Sequence, residues 1–374
     1  MFDQIKEDTL FIIFYSIVTS MAMFAGCYLY FRKGNAFAPD ITPPAPLRKW
    51  TAAFFAFLAL NHMWYMPILF LESEEDIFLN DLIGGVLDCM TVIPLLIVVM
   101  LSMLQDRVRP LWPIAVSIAP LVLGGTVCAI TRNVDLLPAM YLYALLLGVG
   151  LVVFFIREVR RYGRWLRNNY ADLEHKEVWQ SFLLMAIIML TLVVYVFSND
   201  GPVYQYAIEV VCGVLICYLL WRVETLSDLS ISVVSEEEER EAEEEEDETS
   251  DSPLDLPLTI RDNIGPMLKM YCEEQQLYLQ HDMSISQLAK QIGTNRSYLS
   301  RYFAMQGITY NAYINGLRIQ HFINLYHEAT ENHQSVTAQQ LAHLSGFRNY
   351  NTFSTAFKKI TGKTTSEWMR CAKT

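Results

Sequence analysis

Residues 287–307 read QLAKQIGTNRSYLSRYFAMQG, and residues 340–362 read QLAHLSGFRNYNTFSTAFKKITG. Both begin QLA, and each reaches a glycine four residues later, Gly293 and Gly346, so the offset is 53. Beyond the glycine, Leu299 and Phe303 correspond to Phe353 and Phe357, with one extra residue in the second copy. A repeat of this kind means two copies of one small helical unit. In the first copy Ser284 precedes Ile285, Leu288, Ala289 and Ile292, which is an N-cap followed by apolar residues at helical spacing. Gly293 predicts the end of that helix, because positive φ costs glycine little. Asn295 predicts the cap of a second helix that buries Leu299 and Phe303, and Ala289 is small enough to let it cross closely. The second copy repeats the plan with Leu341, Ala342, Phe353 and Phe357 facing inward, and Phe347 is assigned to the core. Tyr350 is open between a phosphate-directed hydroxyl and a packing residue. Helix, glycine turn, helix is the helix-turn-helix form, whose second helix can lie in a major groove. Between the copies, residues 309–329 (TYNAYINGLRIQHFINLYHEA) predict one longer connecting helix.

The rest of the chain has a different texture. The 374 residues carry a net charge of −12, are 53% hydrophobic and only 18% charged, against about 25% charged in ordinary soluble domains. Charge is also unevenly placed. Residues 1–222 hold 15 bases and 18 acids, residues 223–253 hold 14 acids and one base, and residues 254–374 hold 12 bases and 8 acids. A single soluble enzyme does not fit this division, and neither does disorder throughout. Spanning a bilayer takes about 20 apolar residues per helix. Seven segments qualify: 9–31, 50–71, 82–104, 111–130, 136–156, 178–197 and 202–221. The acidic start (Asp3, Glu7, Asp8) argues for a retained first helix and against a cleaved signal peptide.

Lys and Arg fall mainly in alternate loops, with only Lys6 and Arg132 on the other side. Loops 32–49, 105–110 and 157–177 are basic, whereas loop 72–81 (ESEEDIFLND) has no base. Positive charge marks the cytoplasmic side. The expected topology therefore has the N-terminus outside and everything after Arg222 in the cytoplasm. Within the spans His62, Asp88 and Glu209 are costly in hydrocarbon unless they meet a partner or water. They are candidates for a ligand site between helices, and the alternative is structural hydrogen bonding across the bundle. Trp50, Trp64, Tyr65 and Trp221 are read as interfacial or packing residues. The seven cysteines show no metal or disulfide spacing, and no cofactor motif, HExxH, GxSxG or P-loop occurs.

Residues 223–234 (VETLSDLSISVV) are compatible with a short helix continuing from the last span, able to pair with a second copy or to lie at the membrane surface. SEEEEREAEEEEDETSDSP (235–253) is a block of like charge, expected to be a disordered linker. It is read as a spacer, with occupation of the basic face of the next domain as the sharper alternative. The expected fold class is all-α. Residues 1–222 form a seven-helix transmembrane bundle, 223–256 the juxtamembrane segment and acidic linker, and 257–374 a helical domain of two helix-turn-helix units joined by a long helix.

Residues 258–371 resemble the DNA-binding domain of the AraC/XylS family of transcription regulators. The resemblance rests on Gly346-Phe347, Phe353, Phe357-Lys358-Lys359, Gly362, Arg370 and, in the connecting helix, Arg318. Thr365 stands where the family usually has Pro, and Phe322 where it usually has Ala; both suggest altered packing. The family's usual soluble effector domain is absent and the apolar half takes its place, so no ligand carries over. The resemblance implies a membrane-tethered bacterial regulator in the inner membrane, binding promoter DNA. It also admits a homodimer, an unknown signal ligand and, for an activator, RNA polymerase. A transporter or channel with an appended regulatory domain is the competing expectation. Arginine and asparagine make bidentate contacts to base edges. The candidate base readers are Arg296, Ser297 and Ser300 in the first unit, and Arg348, Asn349, Asn351 and Thr355 in the second. Lys290, Arg301, Lys358, Lys359 and Lys363 are candidate phosphate contacts, which position without specifying.

Overall fold

The structure is a computed structural model that describes residues 8–32, 34–39, 41–198, 202–229 and 258–372. The acidic run 235–253, residues 230–234 of the juxtamembrane stretch, and Lys6 and Lys33 lie outside the described residues. Among the described residues the architecture is all-helical, with a single isolated bridge between Tyr170 and Ser284. The chain divides into two compact units. One holds the described residues up to Tyr162 and from Val178 to Leu229; the other holds Gly163–Glu177 and the described residues from Leu258 onward.

The first unit contains α1 (Thr9–Phe31), α2 (Ala45–Tyr65), α3 (Glu74–Met90), α4 (Val92–Ser102), α5 (Trp112–Thr131), most of α6 (Leu137–Asn169), α7 (Trp179–Ser198) and α8 (Pro202–Thr225). Among the described residues six stretches are long and apolar enough to cross a bilayer: Thr9–Phe31, Ala45–Phe70, Glu74–Ser102, Trp112–Thr131, Leu137–Asn169 and Gln205–Thr225. The seventh expected span coincides with α7, in which Trp179–Ile188 is a shorter apolar stretch. Large apolar side chains such as Phe24, Leu123, Ile130 and Leu146 point outward and are well exposed. A helix apolar on its outer face as well as its inner one suits a solvent of hydrocarbon.

Several expected boundaries need correction. The second span starts at Ala45, because Pro44 and Pro46 fit a helix start. It closes with a 3-10 turn, Met66–Phe70, at Pro67. The supposed loop 72–81 is mostly the first turns of α3, where Glu74, Glu75 and Asp76 complement the positive end of the helix dipole. The span expected at 82–104 is broken at Thr91. Helix α6 continues to Asn169 through the basic run expected as a loop, since arginine is a good helix former. Helix α8 stops at Thr225, so the helix expected to continue through 223–234 ends early. Val223, Leu226 and Leu229 are buried within the chain and are not a free face for a second copy.

The loops group at two ends. Glu224 accepts from the Tyr28 hydroxyl (3.0 Å) and the Ala36 amide (2.9 Å). Gln105 bonds the backbone of Ser227 and Leu229, and Arg107 and Arg109 clamp Glu158 at 2.8–2.9 Å. At the other end Arg132 pairs with Glu75 (3.4 Å), and the Tyr206 hydroxyl donates to Asp8 (2.8 Å).

The second unit opens with α9 (Leu258–Met267), which runs into a π-helical turn, Leu268–Glu274, and a 3-10 turn, Leu277–Leu279. The first helix pair is α10 (Ile285–Ile292) and α11 (Arg296–Met305). Then come the connector α12 (Tyr310–Glu331), the second pair α13 (Ala338–Leu344) and α14 (Tyr350–Thr361), and the closing α15 (Thr365–Cys371). The local signals behave as expected. Ser284 and Gln287 form a capping box, Gly293 ends α10 at φ +74°, and the Asn295 side chain caps α11.

Two separate cores result. Leu288, Ala289, Leu299, Phe303, Tyr310 and Ile314 belong to the first; Ile319, Phe322, Leu341, Phe347, Phe353 and Phe357 belong to the second. Helix α12 supplies both. Between its two contributions sits Arg318, 2% exposed. Its guanidinium donates to the carbonyls of Tyr278 and Gln280, both at 2.7 Å, and lies over the Phe347 ring. Phe322 fills the second core, with ring centroids 4.6 Å from Phe353 and 5.5 Å from Phe357. Thr365 occupies the first position of α15, where Pro would also be tolerated.

The two repeat glycines carry different loads. A Cβ on Gly293 (φ +74°) would meet open space, whereas one on Gly346 (φ +87°) would lie 2.8 Å from the Leu279 Cα and 2.9 Å from its carbonyl oxygen. Left-handed backbone alone costs a non-glycine residue about 1–2 kcal/mol. Gly293→Ala is therefore expected to cost about 1 kcal/mol. Gly346→Ala should cost roughly 3 kcal/mol or more, because the obstruction is backbone that must move. Pulse proteolysis of the domain in the full chain across a urea series checks the order; equal losses would place the clash elsewhere.

Candidate nucleic-acid interface

The second helix of each pair carries the expected readers. Arg296 is the first residue of α11, followed by Ser297, Ser300 and Arg301, all half-buried. Asn349 is the N-cap of α14 and spends its Oδ1 on the Asn351 amide (2.7 Å). Arg348 lies just before the helix and is exposed. Asn351, Thr355, Lys358 and Lys359 are exposed along α14, and Lys290 and Lys363 are exposed outside it. The Thr355 hydroxyl donates back to the Asn351 carbonyl (2.9 Å). Phe347 is core, 2% exposed, and Tyr350 packs its ring 5.5 Å from that of Phe353. Of the candidate readers, Arg296, Ser297, Arg348, Asn349 and Asn351 thus lie at the N-terminal ends of α11 and α14, the ends through which such helices meet base edges, and Ser300 and Thr355 lie about a turn further in.

The side chains at those ends already have partners within this unit. Arg296 donates through Nε (3.0 Å) and Nη2 (2.7 Å) to Asn169 Oδ1. Asn349 Nδ2 donates to Glu174 Oε1 (2.8 Å). Arg348 Nη1 is 3.0 Å from Asp282 Oδ2, and the other oxygen of that carboxylate is 3.1 Å from Lys176 Nζ. Partial burial pushes the Asp282 carboxyl up, but Lys176 and Arg348 outweigh it and hold the group below the usual carboxylate range. A lowered folded value means the contact contributes above that range and is lost as pH falls through it. Asp282 and the 169–176 stretch carry no local sequence signal. Nothing in a spacing argument ties residues 66 or more positions apart.

A family model described as a helix-turn-helix domain matches residues 288–370, from within α10 to within α15. No curated protein and no solved structure matches the chain. The matched stretch is a DNA-binding helix-turn-helix domain. It is of the AraC type, and the resemblance carried by Gly346-Phe347, Phe353, Phe357 and Arg318 holds there.

In the first unit the three ionisable residues of the spans fall on one polar cluster around α2. Asp88 accepts from Asn61 Nδ2 (2.8 Å) and from the Tyr65 hydroxyl (2.9 Å), so Tyr65 takes the packing side of its two expected roles, with a partner on the next helix. Asn61 also donates to Thr91 Oγ1 (3.0 Å) at the break between α3 and α4. On the neighbouring residue, His62 Nε2 lies 3.7 Å from Glu209 Oε2 of α8, and its backbone carbonyl accepts from the Tyr15 hydroxyl. Glu209 is 4% exposed, and its Oε2 has no hydrogen-bond partner among the described residues. The structural alternative therefore has concrete support at Asp88 and less at Glu209.

Proposed function

We propose that the protein is a membrane-bound, one-component transcription regulator. Its apolar half senses a signal in or beyond the bilayer, and its C-terminal domain reads promoter DNA in the cytoplasm. The observation that carries this reading is the union, on one chain, of six long apolar helices with an AraC-type domain. One span would suffice as an anchor, so the remaining helices argue for a sensing role. Basic residues grouped at one end, with Arg107 and Arg109 on Glu158 of α6 and the adjacent Gln105 on the Ser227 and Leu229 backbone beyond α8, favour a cytoplasmic C-terminal side. We assign the signal site to His62, Asp88 and Glu209; the support is Glu209, whose buried Oε2 lies 3.7 Å from His62 Nε2 with no hydrogen bond among the described residues, which is expensive unless a ligand or a proton meets it.

Base reading is assigned to Arg296, Ser297, Ser300, Arg348, Asn349, Asn351 and Thr355, and phosphate contacts to Arg301, Lys358 and Lys359. Two linked units should read successive major grooves about 10 bp apart on one DNA face. Chromatin mapping of the tagged full-length protein, followed by footprinting, tests this. Discrete promoter sites, each with two protected patches about one helical turn apart, are expected. Uniform recovery of the genome, or a C-terminal tag digested by protease added to intact cells, rules the reading out.

A further inference from the structure

Residues 169–176 (NYADLEHK) join α6 to α7, yet they are built into the DNA-binding unit. Tyr170 forms an antiparallel bridge with Ser284, the cap of α10, and the Ala171 amide donates to the Met283 carbonyl (3.3 Å). The Ala171 carbonyl accepts from Asn311 Nδ2 of α12 (2.6 Å). Its methyl group is 1% exposed and belongs to the first core, beside Leu288 and Tyr310. This is an anchored contact and more than a surface touch. On either side of the anchor the segment reaches the reading ends. Asn169 holds Arg296, Glu174 holds Asn349, and Lys176 shares Asp282 with Arg348.

The partners offered are those DNA would offer. An arginine at a base edge donates two N–H groups to acceptor oxygen or nitrogen, and here both Arg296 donors fall on one amide oxygen. Asn349 would donate its Nδ2 to a base acceptor and instead donates to a carboxylate. The donors bound to Asn169 and Glu174 are not open to a base edge while these bonds stand, and the segment's side chains lie against the first residues of both candidate reading helices.

We propose that residues 169–176 are a built-in competitor for DNA, so that specific binding requires their release. The proposal rests on the DNA-reading assignment above. The segment is continuous in the chain with two apolar helices, α6 and α7, so a change in either has a covalent route to it. The linkage is quantitative: apparent affinity falls by the fraction of molecules whose reading ends are free.

The test uses the full-length protein in lipid nanodiscs and a duplex from a mapped site. Ala171→Glu places a charge in the core and should expel the segment. Asn169→Ala with Glu174→Ala removes two clasps while leaving that core intact, which guards against a folding defect in the first variant. Both should bind the duplex about tenfold or more tightly than the unaltered protein. Hydrogen exchange of residues 166–174 in the unaltered protein should rise when DNA is added. Unchanged or weaker binding by the double variant, or a segment equally protected in the DNA complex, overturns the proposal while leaving DNA reading intact. Failure of every form to bind any duplex removes the DNA-reading assignment itself, and this proposal with it.

Discussion

Alanine at both Arg348 and Asn349 is expected to abolish sequence-specific binding while leaving a weak, salt-sensitive residue. A bidentate arginine contact discriminates by about 1–3 kcal/mol, and Asn349, whose Oδ1 caps α14, adds a single Nδ2 contact, so losing both should weaken binding to the cognate site by roughly thirtyfold or more. Non-specific attraction rests on the lysines and remaining arginines and falls steeply with salt. Titrations on a mapped site and on its scrambled counterpart, at two salt concentrations, separate the two components. The competitor adds a control. Removing Asn349 also frees Glu174, which by itself would favour DNA. A net loss therefore assigns these side chains to base reading, whereas a surviving specific footprint would mean that another helix reads the sequence.

Phe322→Ala should be among the most destabilising single changes in the C-terminal domain. The ring is fully buried and touches Phe353 and Phe357, with Trp368 at 6.5 Å. Deleting a buried phenylalanine typically costs about 3–5 kcal/mol, part transfer energy and part cavity, against a total domain stability of about 5–15 kcal/mol. Phe322→Leu, closer in volume, should cost about 1.5 kcal/mol or less. Urea midpoints of the domain in the full chain read both. If the alanine form were as stable as the leucine form, the family's usual Ala at this place would be interchangeable with Phe, and the packing account would be wrong.

The second unit was legible in the sequence because its signals are local. Ser284, Gly293 and Asn295 mark two helix ends and a turn within twelve residues, and each fills that role through a hydrogen bond or a positive φ. The apolar half was legible as a set of long helices, though six stretches among the described residues are long and apolar enough where seven were expected, and their ends were blurred. Hydropathy registers where lipid begins, whereas a helix ends where its backbone hydrogen bonds run out. So α3 starts in the acidic run at Glu74 and α6 runs on through its arginines to Asn169. The contacts at the reading ends were not legible at all. Asn169, Glu174 and Asp282 are ordinary polar residues in sequence, and only folding brings them to Arg296, Asn349 and Arg348. The partner of Tyr65 was hidden for the same reason, since Asp88 lies on another helix.

Arg318 has a consequence for the operator. With its fork fixed on two carbonyls and its plane on Phe347, the joint between the repeats has little freedom to hinge. A clamp with a stiff joint measures as well as grips. The interval between the two half-sites then becomes part of the message, and a promoter with the right bases at the wrong pitch is a different address.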